Sequence, residues 1–340
     1  PPGDEAGDPA MSQAVTMTRF SVLTVLMLAG GVTATAAQAP GELPTVRVIA
    51  TGGTIAGEQE EPGTLDRYEI TRTVNEIVAS IPVVERYARV ETEQFANIPS
   101  PTITPDDWLR LARRINQLFE TRPELSGVVV THGTARLEET AFFLHLTVQS
   151  DRPVVMVGAQ RPATALSPDG PLNLLSSIRV AASPESRGKG VMVVMDDRIL
   201  SARDVKKSYA RTGGFETGEM GMLGVVAGSG PEFFYAPVKK HTASSAFDLS
   251  EATELPRVDI TYSYAGAAGG AHDGAAGVVV ATTGFAPGES ERYAELRRRG
   301  VVVASTFPSG EQVSSPRRVD PDRDPPPVVR ASHLYPTKAR

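Results

Sequence analysis

The stretches VRVIATGGTIAG (residues 46–57) and VVVTHGTARLEET (residues 128–140) share one pattern. In each, a short β-branched run ends in glycine, ahead of residues that favour a helix. This order predicts a strand, a tight turn and a helix, twice over. Because open α/β sheets place ligands at the carboxyl ends of their parallel strands, we expect Thr54 and Thr134 to converge on one small ligand.

The rest of the chain supports the same fold class. Short apolar runs without strict alternation are typical of parallel strands that are buried on both faces, and they recur at residues 154–158, 191–195 and 277–282. Between them, residues 106–119 carry apolar side chains at helical spacing, with Thr104 or Pro105 near the expected start. The predicted fold class is therefore α/β.

The domain organisation follows from a break in this periodicity. Residues 238–256 show little regular patterning and are interpreted as a linker. We therefore expect a large N-terminal domain at residues 43–237, built on a mainly parallel sheet flanked by helices. A smaller α/β C-terminal domain is expected at residues 257–340.

Composition excludes several classes of protein and site. A chain of 340 residues with 41% hydrophobic content can bury a full core, and its net charge of -6 argues against a phosphate-binding nucleic-acid surface. Cysteine is absent, so no disulfide or thiolate nucleophile is available. The five histidines have no short metal-binding spacing, and we expect neither a metal nor an organic cofactor.

The N-terminal residues 1–39 have the features of an export signal. A weakly basic MTRF (residues 17–20) precedes an apolar stretch at 22–32 and a small-residue cleavage zone at 34–39. The apolar stretch is too short for a good membrane span, and residues 1–16 look like sequence upstream of the true start. We therefore expect a signal peptide and a periplasmic or secreted protein with no stable membrane span.

The two glycine motifs also carry a family resemblance. TGGTIAG followed by THGT-x-x-LEET resembles the bacterial L-asparaginase family, in particular its secreted type II branch. Further similar segments, in the family's order, lie at residues 154–178, 193–208 and 239–250. The resemblance implies hydrolysis of L-asparagine to L-aspartate and ammonia by a threonine nucleophile, with L-glutamine as a side substrate. It also implies a homo-oligomer, either a dimer or a tetramer.

Amide hydrolysis requires a nucleophile, a base that takes its proton and donors for the developing oxyanion. Threonine is a poor nucleophile at neutral pH, so it needs a neighbour, and the sequence offers Tyr68 and Lys207. The resemblance implies that Thr54 and Tyr68 form the acylating pair. It further implies that Thr134 and Lys207 belong to a second triad, which activates the nucleophile or water.

Substrate binding is expected to involve the same turns. Backbone N–H groups around Gly53 and Gly133 are candidate oxyanion donors. The resemblance implies that Ser100 contacts the α-carboxylate of the substrate. It places Ala135 at the position that contacts the α-ammonium.

At this last position the chain departs from the family, since Ala135-Arg136 replaces an Asp-Thr pair. In the family, that aspartate anchors the α-ammonium of the substrate and partners the catalytic lysine. Its loss from a buried site costs on the order of 3 to 5 kcal/mol, and it should lower the pKa of Lys207. Glu138 and Glu139 are not expected to compensate, because the family has them as well. Arg136 is expected to add positive charge near the site.

The C-terminal part departs further from the family. Residues 265–277 are rich in Gly and Ala where the family has a longer helix. The chain stops at residues 336–340, where the family's final helix would begin, so the C-terminal domain is expected to be truncated.

Three interpretations remain open at this stage. The chain is an asparaginase, or it keeps the fold and binds a small amino-acid-like ligand with little turnover. It could also be a nucleotide-binding α/β protein, since residues 52–57 fall one position short of a GxGxxG motif. Ammonia release from L-asparagine separates the first interpretation from the second.

Overall fold

The computed structural model describes residues 42–61, 63, 67–310 and 324–340. The signal-peptide prediction for residues 1–39 lies outside the described residues. Within the described ranges, no helix has the length and apolar character needed to cross a membrane.

The chain alternates strands and helices. In chain order the strands are β1 Thr45–Ala50, β2 Gly57–Gln59, β3 Tyr68–Ile70, β4 Arg89–Gln94, β5 Leu125–Thr131, β6 Val154–Val157, β7 Val191–Met195, β8 Arg198–Ser201, β9 Lys206–Lys207, β10 Phe215–Glu216, β11 Gly224–Val226, β12 Pro231–Phe233, β13 Val258–Tyr262, β14 Gly277–Ala281, β15 Val302–Thr306 and β16 Val329–Arg330. The α-helices are α1 Val74–Ala79, α2 Pro105–Thr121, α3 Leu137–Thr147, α4 Gly170–Ala182, α5 Pro287–Arg298 and α6 Pro336–Ala339.

An eight-stranded sheet forms the centre of the larger part, in the order β12-β11-β8-β7-β6-β5-β1-β4. Strands β4, β1, β5, β6 and β7 are parallel, and each strand beyond β7 runs antiparallel to its neighbour. The chain passes through β4 before it returns to β5 on the other side of β1. The carboxyl end of β1 is therefore a switch point, where α/β sheets form ligand crevices.

Burial on both faces explains why the strand sequences are continuous apolar runs. Within β1, Val46 and Val48 pack with α1 and α4 on one face, whereas Ile49 packs with α2 and α3 on the other. Helix α2 begins at a capping box in which Thr104 and Asp107 satisfy each other's backbone N–H groups. The result is a three-layer α/β/α arrangement, which confirms the predicted fold class.

A second, smaller sheet is entirely parallel, in the order β13-β14-β15-β16. It has its own core, in which Val278 and Val280 of β14 pack against Tyr293 and Leu296 of α5. The segment predicted as a linker, residues 238–256, lies between β12 and β13 and contains a single 3₁₀ turn among otherwise irregular backbone. The domain boundaries at 43–237 and 257–340 stay a prediction.

The prediction of a helix directly after the first glycine motif is wrong. Thr54–Ala56 forms only one 3₁₀ turn, and the chain then enters the β2–β3 hairpin. The reason lies at Gly57, where a Cβ atom would approach Cδ2 of Tyr68 to 2.5 Å. Glycine has a low helix propensity, which favours the end of the 3₁₀ turn at this residue, and its lack of a side chain makes room for the tyrosine ring. The second motif is followed by α3, as expected.

The two glycine motifs meet through their backbones. Parallel pairing sets Ala50 opposite Thr131, so the turns that follow β1 and β5 leave the sheet side by side. Gly53 has a φ of 85°, and a Cβ atom there would lie 2.2 Å from Cα of Gly133. No side chain fits between the turns, so both the backbone conformation and the close approach require glycine at residue 53.

We predict that Gly53→Ala destabilises the protein by about 3 kcal/mol or more, because positive φ and overpacking each cost about 1 to 3 kcal/mol. Gly228→Ala is the matched control, since a Cβ atom there has no neighbour within 4 Å. This variant should stay within about 0.5 kcal/mol of the parent chain. Urea unfolding followed by circular dichroism measures both, and equal midpoints would contradict the required contact.

Candidate active site

Thr54 and Tyr68 form one hydroxyl pair at the carboxyl end of β1. Thr54 is 8% exposed and follows the Gly52-Gly53 turn directly, while Tyr68 begins β3. Antiparallel pairing of β3 with β2 brings the phenol back over the turn, with 2.7 Å between Thr54 Oγ1 and the Tyr68 hydroxyl oxygen. A proton can therefore pass between the two oxygens without rearrangement of either side chain.

Thr134 and Lys207 form the second pair, at the carboxyl end of β5. The Lys207 ammonium donates to Thr134 Oγ1 over 2.6 Å. Burial lowers the pKa of Lys207, and the nearby Glu138 carboxylate partly opposes this shift. The lowered pKa increases the share of neutral amine, which is the form that accepts a proton from a hydroxyl group.

Ser100 lies beside the second turn, on a third segment of the chain. Its side chain is buried, and Ser100 Oγ accepts the backbone N–H of Ala135 over 3.1 Å. A Cβ atom on Gly133 would lie 2.7 Å from the same oxygen, so residue 133 also has to be glycine. The serine hydroxyl is thus fixed beside the second motif.

All eight residues predicted for the site lie in one connected cluster. The Gly53–Gly133 contact joins the Thr54–Tyr68 pair to the Thr134–Lys207 pair, and Ser100 and Ala135 complete it. Their predicted roles in catalysis and substrate binding remain proposals.

The charged side chains near the second turn are partly paired with one another. Ala135 itself is exposed, and among the described residues Lys207 has no carboxylate within ion-pair distance. The positive charge that Arg136 was expected to add is partly offset, because its guanidinium pairs with Glu139 at 3.2 Å. Arg340 reaches the same carboxylate at 3.4 Å. Burial raises the pKa of Glu139, and the two guanidinium groups oppose this shift.

Glu138 has a role that the sequence did not indicate. One of its carboxylate oxygens accepts the backbone N–H of Lys207, and the other accepts the hydroxyl of Thr337 at 3.3 Å. Glu138 therefore holds the main chain of Lys207 and not its ammonium group. The residue spacing gave no signal for this contact, which joins segments far apart in the chain.

His132, in the centre of the second motif, is fully buried. Its ring nitrogens lie 2.8 Å from the carbonyl oxygen of Gly133 and 3.1 Å from the hydroxyl of Thr140. Burial lowers the pKa of His132 to about 4, so the ring is neutral at physiological pH. This geometry fits a structural role for the His132 ring.

Several known proteins are similar to this chain in sequence and in fold. Residues 45–239 match the family model described as asparaginase, N-terminal. L-asparaginase 2 of Bacillus subtilis (strain 168) is 39% identical over 309 residues, which cover 88% of this chain and 81% of that protein. A glutaminase-asparaginase of Pseudomonas fluorescens biotype A is 36% identical over 309 residues, covering 88% and 85%.

A solved structure of similar fold is that of the probable cytoplasmic L-asparaginase from Campylobacter jejuni. The TM-score is 0.81 at 35% sequence identity, with 87% of this chain and 92% of that chain covered. Together, the family match and the relatives of this identity confirm the resemblance that the two glycine motifs suggested. The chain belongs to the bacterial asparaginase family, is type II-like within it, and is an asparaginase-family enzyme.

Proposed function

We propose that this enzyme hydrolyses the side-chain amide of L-asparagine to give L-aspartate and ammonia, with Thr54 as the nucleophile. The observation that carries the proposal is the pair of short hydroxyl contacts, Thr54 to Tyr68 and Lys207 to Thr134, on touching turns. The relatives named as asparaginases and glutaminase-asparaginases support the substrate class, with L-glutamine as a side substrate.

In the acylation step, Thr54 Oγ1 forms a bond to the amide carbon of the substrate. The hydroxyl proton leaves along the 2.7 Å hydrogen bond to Tyr68, and the phenol passes its own proton on to the amide nitrogen. Backbone N–H groups around Gly53 and Gly133 stabilise the negative charge on the amide oxygen. The carbon–nitrogen bond then breaks, ammonia departs after taking up a proton, and an ester to Thr54 remains.

In the second step, water attacks this ester and regenerates the threonine hydroxyl. Thr134 and Lys207 are the proposed activators, since burial favours the neutral amine of Lys207 and its nitrogen lies 2.6 Å from Thr134 Oγ1. Ser100, buried beside the second turn, binds the substrate α-carboxylate. These groups fix the substrate so that both steps occur at one carbon atom.

Replacement of the nucleophile tests this mechanism. We expect the parent protein to release ammonia from L-asparagine weakly, and Thr54→Ala to lower kcat by at least about 10³-fold, because no other hydroxyl replaces the attacking group. The measurement is a coupled ammonia assay, with circular dichroism to verify folding. Thr121→Ala, which removes an exposed hydroxyl at the end of α2, is the control and should retain full activity. Unchanged turnover in Thr54→Ala would remove Thr54 from the reaction.

Weak activity is expected because residue 135 is alanine. An α-ammonium group bound there would meet no carboxylate at this position, and Lys207 lacks an ion-pair partner within the described residues. The pairing of Arg136 with Glu139 limits the repulsion of an incoming ammonium but supplies no anchor for it.

We therefore predict that Ala135→Asp raises kcat/KM for L-asparagine about tenfold to a hundredfold. Hydrogen bonds to charged groups contribute about 1.5 to 3 kcal/mol, and about 1.4 kcal/mol corresponds to one factor of ten. The new carboxylate should also raise the pKa of Lys207, which moves the acid limb of the pH profile of kcat/KM to higher pH. Steady-state kinetics across pH measures both effects.

Ala135→Asn is the matched control, since it adds similar volume without charge and should give neither effect. Arg136→Thr should add to the gain in the aspartate variant by removing a nearby cation. If Ala135→Asp leaves kcat/KM unchanged in a folded protein, the substrate ammonium is anchored elsewhere or is absent from the natural substrate.

That last outcome would favour a second candidate function, the binding of a small amino-acid-like ligand with little turnover. The exposed Ala135 is the observation that supports it. Calorimetric binding of L-aspartate or L-asparagine without ammonia release would separate the two functions.

We also propose that the enzyme is exported and assembles as a homo-oligomer. The signal-like residues 17–39 support export, and N-terminal sequencing of protein recovered outside the cytoplasm would test it. Several large apolar side chains are exposed in the single chain, including Phe234, Val238 and Phe247, which supports a subunit interface. Light scattering should give the mass of a dimer or tetramer, and a fully active monomer at micromolar concentration would contradict the assembly.

A further inference from the structure

Lys338, on the short helix α6, is a buried cation with an unusual set of partners. Its ammonium donates to the carbonyl oxygens of Ala202 and Arg203, at 2.9 Å each, and to that of Val205. Only 6% of the residue is exposed. Three acceptors for three N–H bonds satisfy the ammonium fully, which is the condition for burying such a charge.

These carbonyls belong to the turn that leads into Lys207. Inside this turn, the N–H groups of Asp204 and Val205 donate to the carbonyl of Ser201. These two N–H groups form the hydrogen bonds inside the turn. The carbonyl groups of Ala202, Arg203 and Val205 instead accept hydrogen bonds from Lys338. Because Lys207 follows Val205 by two residues, the path of this turn determines where the Lys207 amine lies.

Thr337, the neighbour of Lys338, reaches the same region by another route. Its hydroxyl donates to Glu138 over 3.3 Å, and the other oxygen of Glu138 accepts the backbone N–H of Lys207. Glu138 lies on α3, which starts three residues after Thr134. Two consecutive residues of α6 thus contact both the segment that carries Lys207 and the helix that follows Thr134.

We propose that Lys338, with Thr337, is a positioning residue that holds the 202–207 turn so that the Lys207 amine stays within reach of Thr134. Among the described residues, neither Lys338 nor Thr337 is hydrogen-bonded to Thr54, Tyr68 or Thr134, and the proposed effect on the reaction passes through the position of Lys207. This inference rests on the proposed function, in which Lys207 and Thr134 activate water. An error of about 1 Å at such a pair can cost about a hundredfold in rate.

The electrostatic surroundings of Lys338 agree with a fixed contact. The carboxylates of Glu138 and Asp204 favour its charge, whereas Arg203 and burial oppose it, and burial lowers the pKa of Lys338 to about 7. The rings of Phe142 and Tyr335 lie 5.8 and 5.7 Å from the ammonium and close the space around it. The hydrogen bonds to the three carbonyl groups are therefore the main interactions that stabilise the charged form of Lys338.

The chain contains a matched control far from the site. Arg152 also donates to three backbone carbonyls, those of Phe119, Arg122 and Leu125, and it packs over the Phe119 ring at 4.3 Å. Phe119 and Arg122 lie at the carboxyl end of α2 and Leu125 begins β5, whereas Thr134 lies past the carboxyl end of β5. Loss of Arg152 therefore removes comparable contacts without disturbing Lys207.

The experiment compares Lys338→Met and Arg152→Met in the whole protein. Both variants should lower Tm, but only Lys338→Met should lower kcat for L-asparagine, by about tenfold to a hundredfold, with KM within about twofold of the parent. Amide hydrogen exchange should accelerate across residues 202–207 in Lys338→Met and stay unchanged there in Arg152→Met. Parent-like kcat in Lys338→Met, or equal losses of kcat in both variants, would overturn the inference.

Thr337→Val keeps the test decisive if Lys338→Met does not fold. It removes one hydroxyl with little change in shape, so we expect a loss of about threefold to tenfold in kcat at a parent-like Tm, and unchanged kcat would count against positioning. An inactive parent protein would refute the proposed function instead. In that event, hydrogen exchange at residues 202–207 still decides whether Lys338 holds the turn, since it needs no turnover.

Discussion

The close backbone contact between Gly53 and Gly133 is the constraint on which the site depends. Parallel pairing of β1 with β5 fixes the distance between the two turns, and only hydrogen atoms fit between them. The threonine that follows each glycine is thereby brought toward the same space. A side chain at either glycine would separate the two hydroxyl pairs, however well the sheet itself formed.

The charged groups of the site are less completely matched with partners than its backbone contacts are. The acidic side chains near the second turn are already engaged, Glu139 by two guanidinium groups and Glu138 by a main-chain N–H and a hydroxyl. Neither therefore serves as an ion-pair partner for Lys207, which has none among the described residues. Burial therefore has the largest effect on the pKa of Lys207, which it lowers, and so favours the neutral amine. A neutral amine can act as a base, but it does not bind a charged group of the substrate as an ammonium would.

The sequence was informative where structure is determined locally. Continuous valine-rich runs identified the parallel strands, and the Thr104 cap located the start of α2, because burial and capping act on neighbouring residues. It failed at Gly57, where the chain enters the β2–β3 hairpin and the ring of Tyr68 lies in the space that a side chain would need. The orientation of Arg136 and the contacts of Lys338 were also not predictable, since their partners are set by tertiary packing. The family and the α/β class were confirmed, while the roles of the site residues stay predictions.

The contacts of α6 bear on the order in which the parts of the active site form during folding. Thr337 and Glu138 are 199 positions apart, and Lys338 and Ala202 are 136 apart. Contacts of such long sequence separation cost more loop-closure entropy than local contacts, so we expect them to form after the local ones. The five parallel strands of the large sheet and both threonine turns precede residue 207 and can assemble while later residues are still being synthesised. If Lys338 positions Lys207 as proposed, the lysine of the second pair would settle only after residue 338 has emerged, so a nascent chain would hold an assembled but unfinished site until then.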